Sequence, residues 1–153
     1  MGTGRFVIRS ERTYHFPVSR DELWKLLGQV EDFRTWWPWV KRLDAAGLVP
    51  GADWHCSIEP PLPYALHGTI HLDEVEEPSL LVATLSGDLT GDARMELADN
   101  ADGSIVHLVT ELAAATGPIR MISRAFPSLA RWGHDWVLDT AARQFRHHAL
   151  NHE

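Results

Sequence analysis

Apolar residues recur at helical spacing through the last third of the chain: Ile119, Ile122, Phe126, Leu129, Ala130, Gly133, Trp136, Val137, Ala141 and Phe145. Gly117-Pro118 opens this stretch, and proline suits a first helical position because its missing N–H would have no intrahelical partner there. Pro127 falls inside the run and removes a backbone donor, which predicts a kink or a break. The pattern then predicts a helix over Ser128–Leu150, roughly 35 Å long at about 1.5 Å per residue. Its opposite face carries Arg131, Asp135, Asp139, Arg143 and Arg146, so the helix is amphipathic and must lay its apolar stripe on something. Arg131 and Asp135, four apart, read as an exposed ion pair.

Earlier in the chain the pattern changes twice. Arg5 to Phe16 reads as a long first strand, ended by Pro17. Ser19-Arg20-Asp21-Glu22 fits a capping box, with Val18 and Leu23 as the hydrophobic staple. Leu23, Leu26, Leu27 and Val30 form the stripe of that helix, and Gly28 is its stop. A second short helical piece, Glu31–Trp37, ends ahead of Pro38, since a residue before proline avoids the α region.

From Trp39 onward the period is two. Runs over Trp39–Ala45, Ala52–Glu59, Tyr64–Val75, Leu80–Ser86, Asp92–Leu97 and Ser104–Ala114 are separated by turn-forming segments rich in Gly, Pro, Asn and Asp. This spacing predicts an antiparallel meander. Trp54/Cys56/Ile58, Tyr64/Leu66/Gly68/Ile70/Leu72, Met95/Leu97 and Val106/Leu108/Thr110/Leu112 share one face. His55, Ser57, Glu59, His67, Thr69, His71, Arg94, Glu96, His107 and Glu111 share the other, giving a sheet with one apolar and one wet side. The C-terminal helix is the cover that the apolar side requires.

The order is strand, two short helices, six strands, long helix. Together with Trp36-Trp37-Pro38-Trp39-Val40, Gly87-Asp88-Leu89-Thr90-Gly91 and Trp132-Gly133-His134-Asp135-Trp136-Val137, it resembles the polyketide cyclase/dehydrase and lipid-transport superfamily, also called START-like, SRPBCC or birch-pollen-allergen-like. The resemblance runs from Arg5 to Leu150 and is nearest to bacterial members. It implies one α+β helix-grip domain over residues 1–153: a curved seven-stranded antiparallel sheet around a long C-terminal helix, with a cavity for apolar ligands between them. Members of the superfamily include lipid and sterol carriers, hormone receptors, aromatic polyketide cyclases and chaperone activators.

Composition narrows the function classes. The chain of 153 residues is large enough to bury about 70% of its unfolded surface. A net charge of −7 argues against a general nucleic-acid or anionic-membrane binder. Cys56 is the one cysteine, which rules out an intramolecular disulfide and points to a reducing compartment. Met1 to Phe6 lacks the apolar core of a signal peptide, Phe6 stands where myristoylation wants Ser or Thr, and no apolar run approaches a membrane span. The expectation is a cytoplasmic protein without stable membrane insertion, of open oligomeric state.

Seven tryptophans are the compositional oddity. Each indole combines a large apolar area with one N–H that wants a partner, so tryptophans serve as core or as cavity walls. Trp36 and Trp37 leave their turn on different sides, so one of the two is expected to face inward. The predicted ligand-contacting set is Trp36, Trp37, Trp39, Trp54, Tyr64, Leu66, Met95, Leu108, Thr110, Phe126, Leu129 and Trp136. His134, Tyr64 and Thr110 are the candidates for acid–base chemistry, because they alone carry polar groups near the inward register. The plainer reading of His134 is a boundary histidine satisfied by a backbone carbonyl or a sheet residue. His67 and His71 lie about 13 Å apart on a strand, too far to share one metal ion. No nucleophile elbow, phosphate-cradling loop or dinucleotide fingerprint is present, and no cofactor or metal is implied. The sequence therefore predicts a carrier of a hydrophobic small molecule. A cyclase, aromatase or dehydratase acting in the same cavity is the alternative, and a protein-interaction module the third.

Overall fold

The computed structural model describes residues 7–59, 65–115 and 125–147. The period-two stretches form seven strands: β1 (Val7–Phe16), β2 (Val40–Asp44), β3 (Asp53–Ile58), β4 (Leu66–Glu76), β5 (Leu80–Gly87), β6 (Leu89–Asn100) and β7 (Gly103–Ala114). They pair antiparallel in the order β1-β7-β6-β5-β4-β3-β2, an open sheet whose edges are β1 and β2. Between β1 and β2 lie α1 (Arg20–Leu27), a 3-10 turn (Val30–Asp32) and the one-turn helix α2 (Phe33–Trp36). The Ser19 side chain accepts from the Glu22 backbone N–H, as its position in the capping box requires, and Gly28 caps the C-terminus.

The inner and outer faces follow the alternation. Outside, His55 bonds Thr69, Ser57 bonds His67, His71 bonds Asp53 and His107 bonds Glu11. These cross-strand pairs include His67 and His71, the two histidines whose spacing along the strand is too long to share a metal ion. Inside, the strands present apolar side chains.

β6 begins earlier than expected. Gly87–Gly91, which reads as a plain turn, instead closes β5 and opens β6. Gly87 pairs with Gly68 of β4, while Leu89 to Gly91 already pair with β7. Both glycines have positive φ, 112° and 149°. A Cβ on Gly87 would stand 2.7 Å from the Gly68 Cα, and one on Gly91 would run into the Glu111 carbonyl.

The C-terminal helix α3 spans Pro127–Phe145, with Pro127 in its first turn. The proline thus starts the helix after Phe126, and the expected disruption is a break rather than a kink. The last residues of the predicted helix, 148–150, lie outside the described residues. The helix backbone stands off the sheet, and it is held at its C-terminal end by aromatic packing. Phe145 meets Phe16 edge-on at 5.5 Å and Trp36 at 5.2 Å, and Trp37 lies 6.2 Å away. Phe33, Leu23, Trp24, Leu97 and Val106 complete this core. Two indoles tether the helix directly: Trp37 Nε1 donates to the Ala141 carbonyl at 2.9 Å, and Trp39 Nε1 to Gln144 Oε1 at 2.8 Å. Among the described residues no helix is long and apolar enough to cross a membrane.

Gly91→Ala is expected to cost about 2 kcal/mol or more, from backbone strain and collision with β7. Asp92→Ala, on the exposed face next to it, should stay within about 0.5 kcal/mol of the parent. Urea unfolding of the two variants measures the difference.

Candidate functional site

Because α3 is pinned at one end and stands away from the sheet elsewhere, a hollow of about 470 Å³ remains between them. The sheet contributes Trp54, Cys56 and Ile58 from β3, Leu66 and Ile70 from β4, Met95 from β6, and Leu108, Thr110 and Leu112 from β7. Gly133, His134, Val137, Leu138 and Ala141 of α3 face them. Glycine and alanine at two of these helix positions leave space that larger side chains would take. Trp37 and Trp39 close the end nearest α2. Burial pushes the Cys56 thiol above its usual pKa, so it is an apolar wall residue rather than a nucleophile.

One polar pair stands on this apolar wall. Thr110 is buried on β7, and its Oγ1 lies 3.1 Å from His134 Nε2. The His134 side chain is 8% exposed, and its Nδ1 is 3.3 Å from Asp135 Oδ1. Burial lowers the His134 pKa below 6.5, against the partial support of Asp135. Burial also works to raise the Asp135 pKa, but hydrogen bonds from His134 and from Arg12 outweigh it and hold the carboxyl ionised. Arg12 of β1 reaches Asp135 at 2.8 Å, and Asp139 at 3.9 Å. Tyr14 donates its hydroxyl to Asp139 at 3.0 Å, and burial followed by that bond raises its pKa. A string of polar contacts thus runs from the cavity wall along the seam between β1 and α3. With Asp135 ionised, Nδ1 carries the imidazole proton and Nε2 accepts from the Thr110 hydroxyl.

The predicted residues divide by position. Trp37, Trp39, Trp54, Leu66, Met95, Leu108, Thr110 and His134 lie on the cavity. Trp36 does not: it is buried in the core beside Phe33 and Phe145. Trp136 packs edge-on against Trp39 at 5.7 Å without reaching the hollow. Phe126 is 61% exposed, because it is the non-helical residue just ahead of α3 and so leaves the helix stripe. Tyr64 and the Leu129 side chain lie outside the described residues. Asp135 has Arg12 of β1 as its ion-pair partner in place of Arg131. Arg12, Tyr14 and Asp139 were not among the sequence candidates. Their signal was an arginine on the inward register of β1 opposite two aspartates spaced four apart on α3.

No protein-family model matches the chain, and no curated protein sequence matches it. Solved structures do. The di-domain ARO/CYC protein BexL from the BE-7585A biosynthetic pathway superposes with a TM-score of 0.76 at 11% identity, covering 96% of this chain and 51% of BexL. Protein Ms6760 from Mycobacterium smegmatis gives 0.73 at 14% identity, covering 95% of this chain and 92% of that one. Ara h 8.0201 gives 0.71 at 14% identity, covering 96% and 100%. The fold is the START-like helix grip. The chain spans about half of the di-domain BexL and the full length of Ara h 8.0201.

The depressed His134 pKa fixes a sign for the pH dependence of stability. Below 6.5 the unfolded chain takes up a proton here that the folded chain resists, so stability falls as the pH drops through that value. His71 behaves oppositely: its bond to Asp53 raises its pKa, so its contribution is full below 6.5 and is lost as the pH rises through the folded value. Urea unfolding at about pH 5 and about pH 8 should show His134→Gln less sensitive to acid than the parent. His71→Gln should lose stability mainly at the acid end. An unaltered pH slope in His134→Gln would contradict a buried neutral imidazole.

Proposed function

We propose that the chain binds a hydrophobic small molecule, of lipid or polyketide-like kind, in the hollow between the sheet and α3, and serves as its carrier or sequestering protein. The observation that carries this reading is the unfilled space of about 470 Å³ behind apolar walls, beside a core that is closely packed. An empty apolar void of this size has no packing advantage, and a ligand that fills it recovers the missing contacts. Trp37, Trp39, Trp54, Leu66, Met95 and Leu108 are the proposed contacts, with Thr110 and His134 as the polar point. The net charge of −7 supports a role away from nucleic acid, and the single cysteine supports a cytoplasmic setting.

An enzyme of the cyclase, aromatase or dehydratase kind is the second reading. It is favoured by the convergence of Thr110 and His134 within the cavity and by the likeness in fold to an ARO/CYC protein. A neutral imidazole in a dry site can take a proton from carbon or oxygen, held in its tautomer by Asp135. A carrier returns its ligand unaltered, whereas an enzyme returns a product whose formation ceases in His134→Gln.

Leu108→Trp places an indole in the hollow from the middle of β7. It is expected to weaken Nile red binding by about tenfold or more while leaving thermal stability at or above the parent's. Fluorescence titration measures the first, and thermal unfolding the second. Unchanged dye affinity in the filled variant would remove the cavity from the proposal. Mass spectrometry of small molecules released on denaturation would identify the native ligand class.

A further inference from the structure

The polar pair on the cavity wall has a direction. Asp135 is ionised and held by Arg12 at 2.8 Å, so the imidazole proton of His134 sits on Nδ1 and points away from the hollow. Nε2 is then an acceptor, and the one proton of the Thr110 hydroxyl is donated to it across 3.1 Å. What this pair offers a molecule in the cavity is lone pairs: those on Thr110 Oγ1, and Nε2 itself when a ligand group inserts between the two.

Ser86, which also borders the hollow, is solvent-exposed on β5, and the other polar residues there do not offset this. His67 and Thr69 make their side-chain hydrogen bonds on the outer face, with Ser57 and His55. Cys56 is a weak donor at best. Arg131 and Arg12 are the cations whose charge acts on His134; neither lines the cavity, and Arg12 is engaged by Asp135 and Asp139 in the seam.

Resting on the binding role above, we infer that the His134–Thr110 pair is a recognition point for a hydroxyl donor, and that the ligand is an uncharged apolar molecule with an alcohol, phenol or enol O–H. A hydroxyl can donate to Nε2 or to Thr110 Oγ1 and still accept from Thr110. A ketone or ether can only accept, so it must take the Thr110 proton and leave Nε2 buried without a donor. A carboxylate brings acceptors and a charge into a wall whose described residues include no arginine or lysine.

Three probes on one ring system test this: 2-naphthol, 2-methoxynaphthalene and naphthalene-2-carboxylate, with naphthalene as the apolar reference. Calorimetry or tryptophan fluorescence at about pH 8, where imidazole is neutral, reads the affinities. The naphthol should bind about tenfold more tightly than the methoxy compound, and the carboxylate should bind weakest. Thr110→Val and His134→Leu should erase the naphthol preference while keeping the affinity for naphthalene, and Thr110→Ser should retain the preference. Circular dichroism checks that each variant is folded.

Equal affinities for naphthol and its methyl ether in the parent would overturn the inference and leave the cavity reading standing. Tightest binding of the carboxylate would overturn it in favour of an imidazolium site. Failure of naphthalene and all three probes to bind would bring down the cavity reading and this inference together.

Discussion

Everything at the candidate site depends on the aromatic grip around Phe145. Phe16 comes from the first strand, Trp36 and Trp37 from the short helical segment, and Phe145 from the final helix, so three distant parts of the chain meet at one ring. Edge-on pairs of this kind contribute about 0.5–1.5 kcal/mol each beyond the area they bury. More important is their bulk. They set the height of α3 above the sheet at its C-terminal end, while toward the middle of the helix Trp136 rests on Trp39 beside the hollow and the small residues Gly133 and Ala141 face the strands. The hollow is what remains when a sheet and a helix are held apart by bulky rings at one end.

The seam between β1 and α3 is the second point of attachment and differs in kind. Arg12, Asp135, Asp139 and Tyr14 join an edge strand to the helix by charge and hydrogen bonding. Such partly exposed contacts add little to stability, but they orient. They fix which nitrogen of His134 holds the proton, and therefore what the cavity wall presents. Aromatic bulk makes the space, and the polar seam gives it a chemical polarity.

The architecture was legible in the sequence because it is written in periods. Alternation in β3, β4 and β7 assigned inner and outer faces correctly, and Ser19 with Glu22 marked the start of α1. What escaped were features set by tertiary packing. Trp36 and Trp37 are adjacent and chemically identical, and only the path of α2 decides which one reaches the hollow. Trp136 fits the apolar stripe by spacing, yet Trp39 intercepts it. Phe126 fits the same stripe, but the helix starts one residue later. The Thr110–His134 contact was anticipated only as two separate candidates. Its charged support was missed because an inward arginine on a strand is recognisable only once its partners across the sheet edge are known.

The topology carries a consequence for how the molecule is made. β1 pairs with β7, Val7 with Ala113 and Phe16 with Ser104, so the first strand has no neighbour until the seventh exists. On a ribosome, β2 to β6 can build their hairpins in turn, while the leading segment waits through most of synthesis for its mate. The rod that roofs the chamber emerges later still. The interior space is therefore the last thing to form, and until then its oily lining faces water or a chaperone.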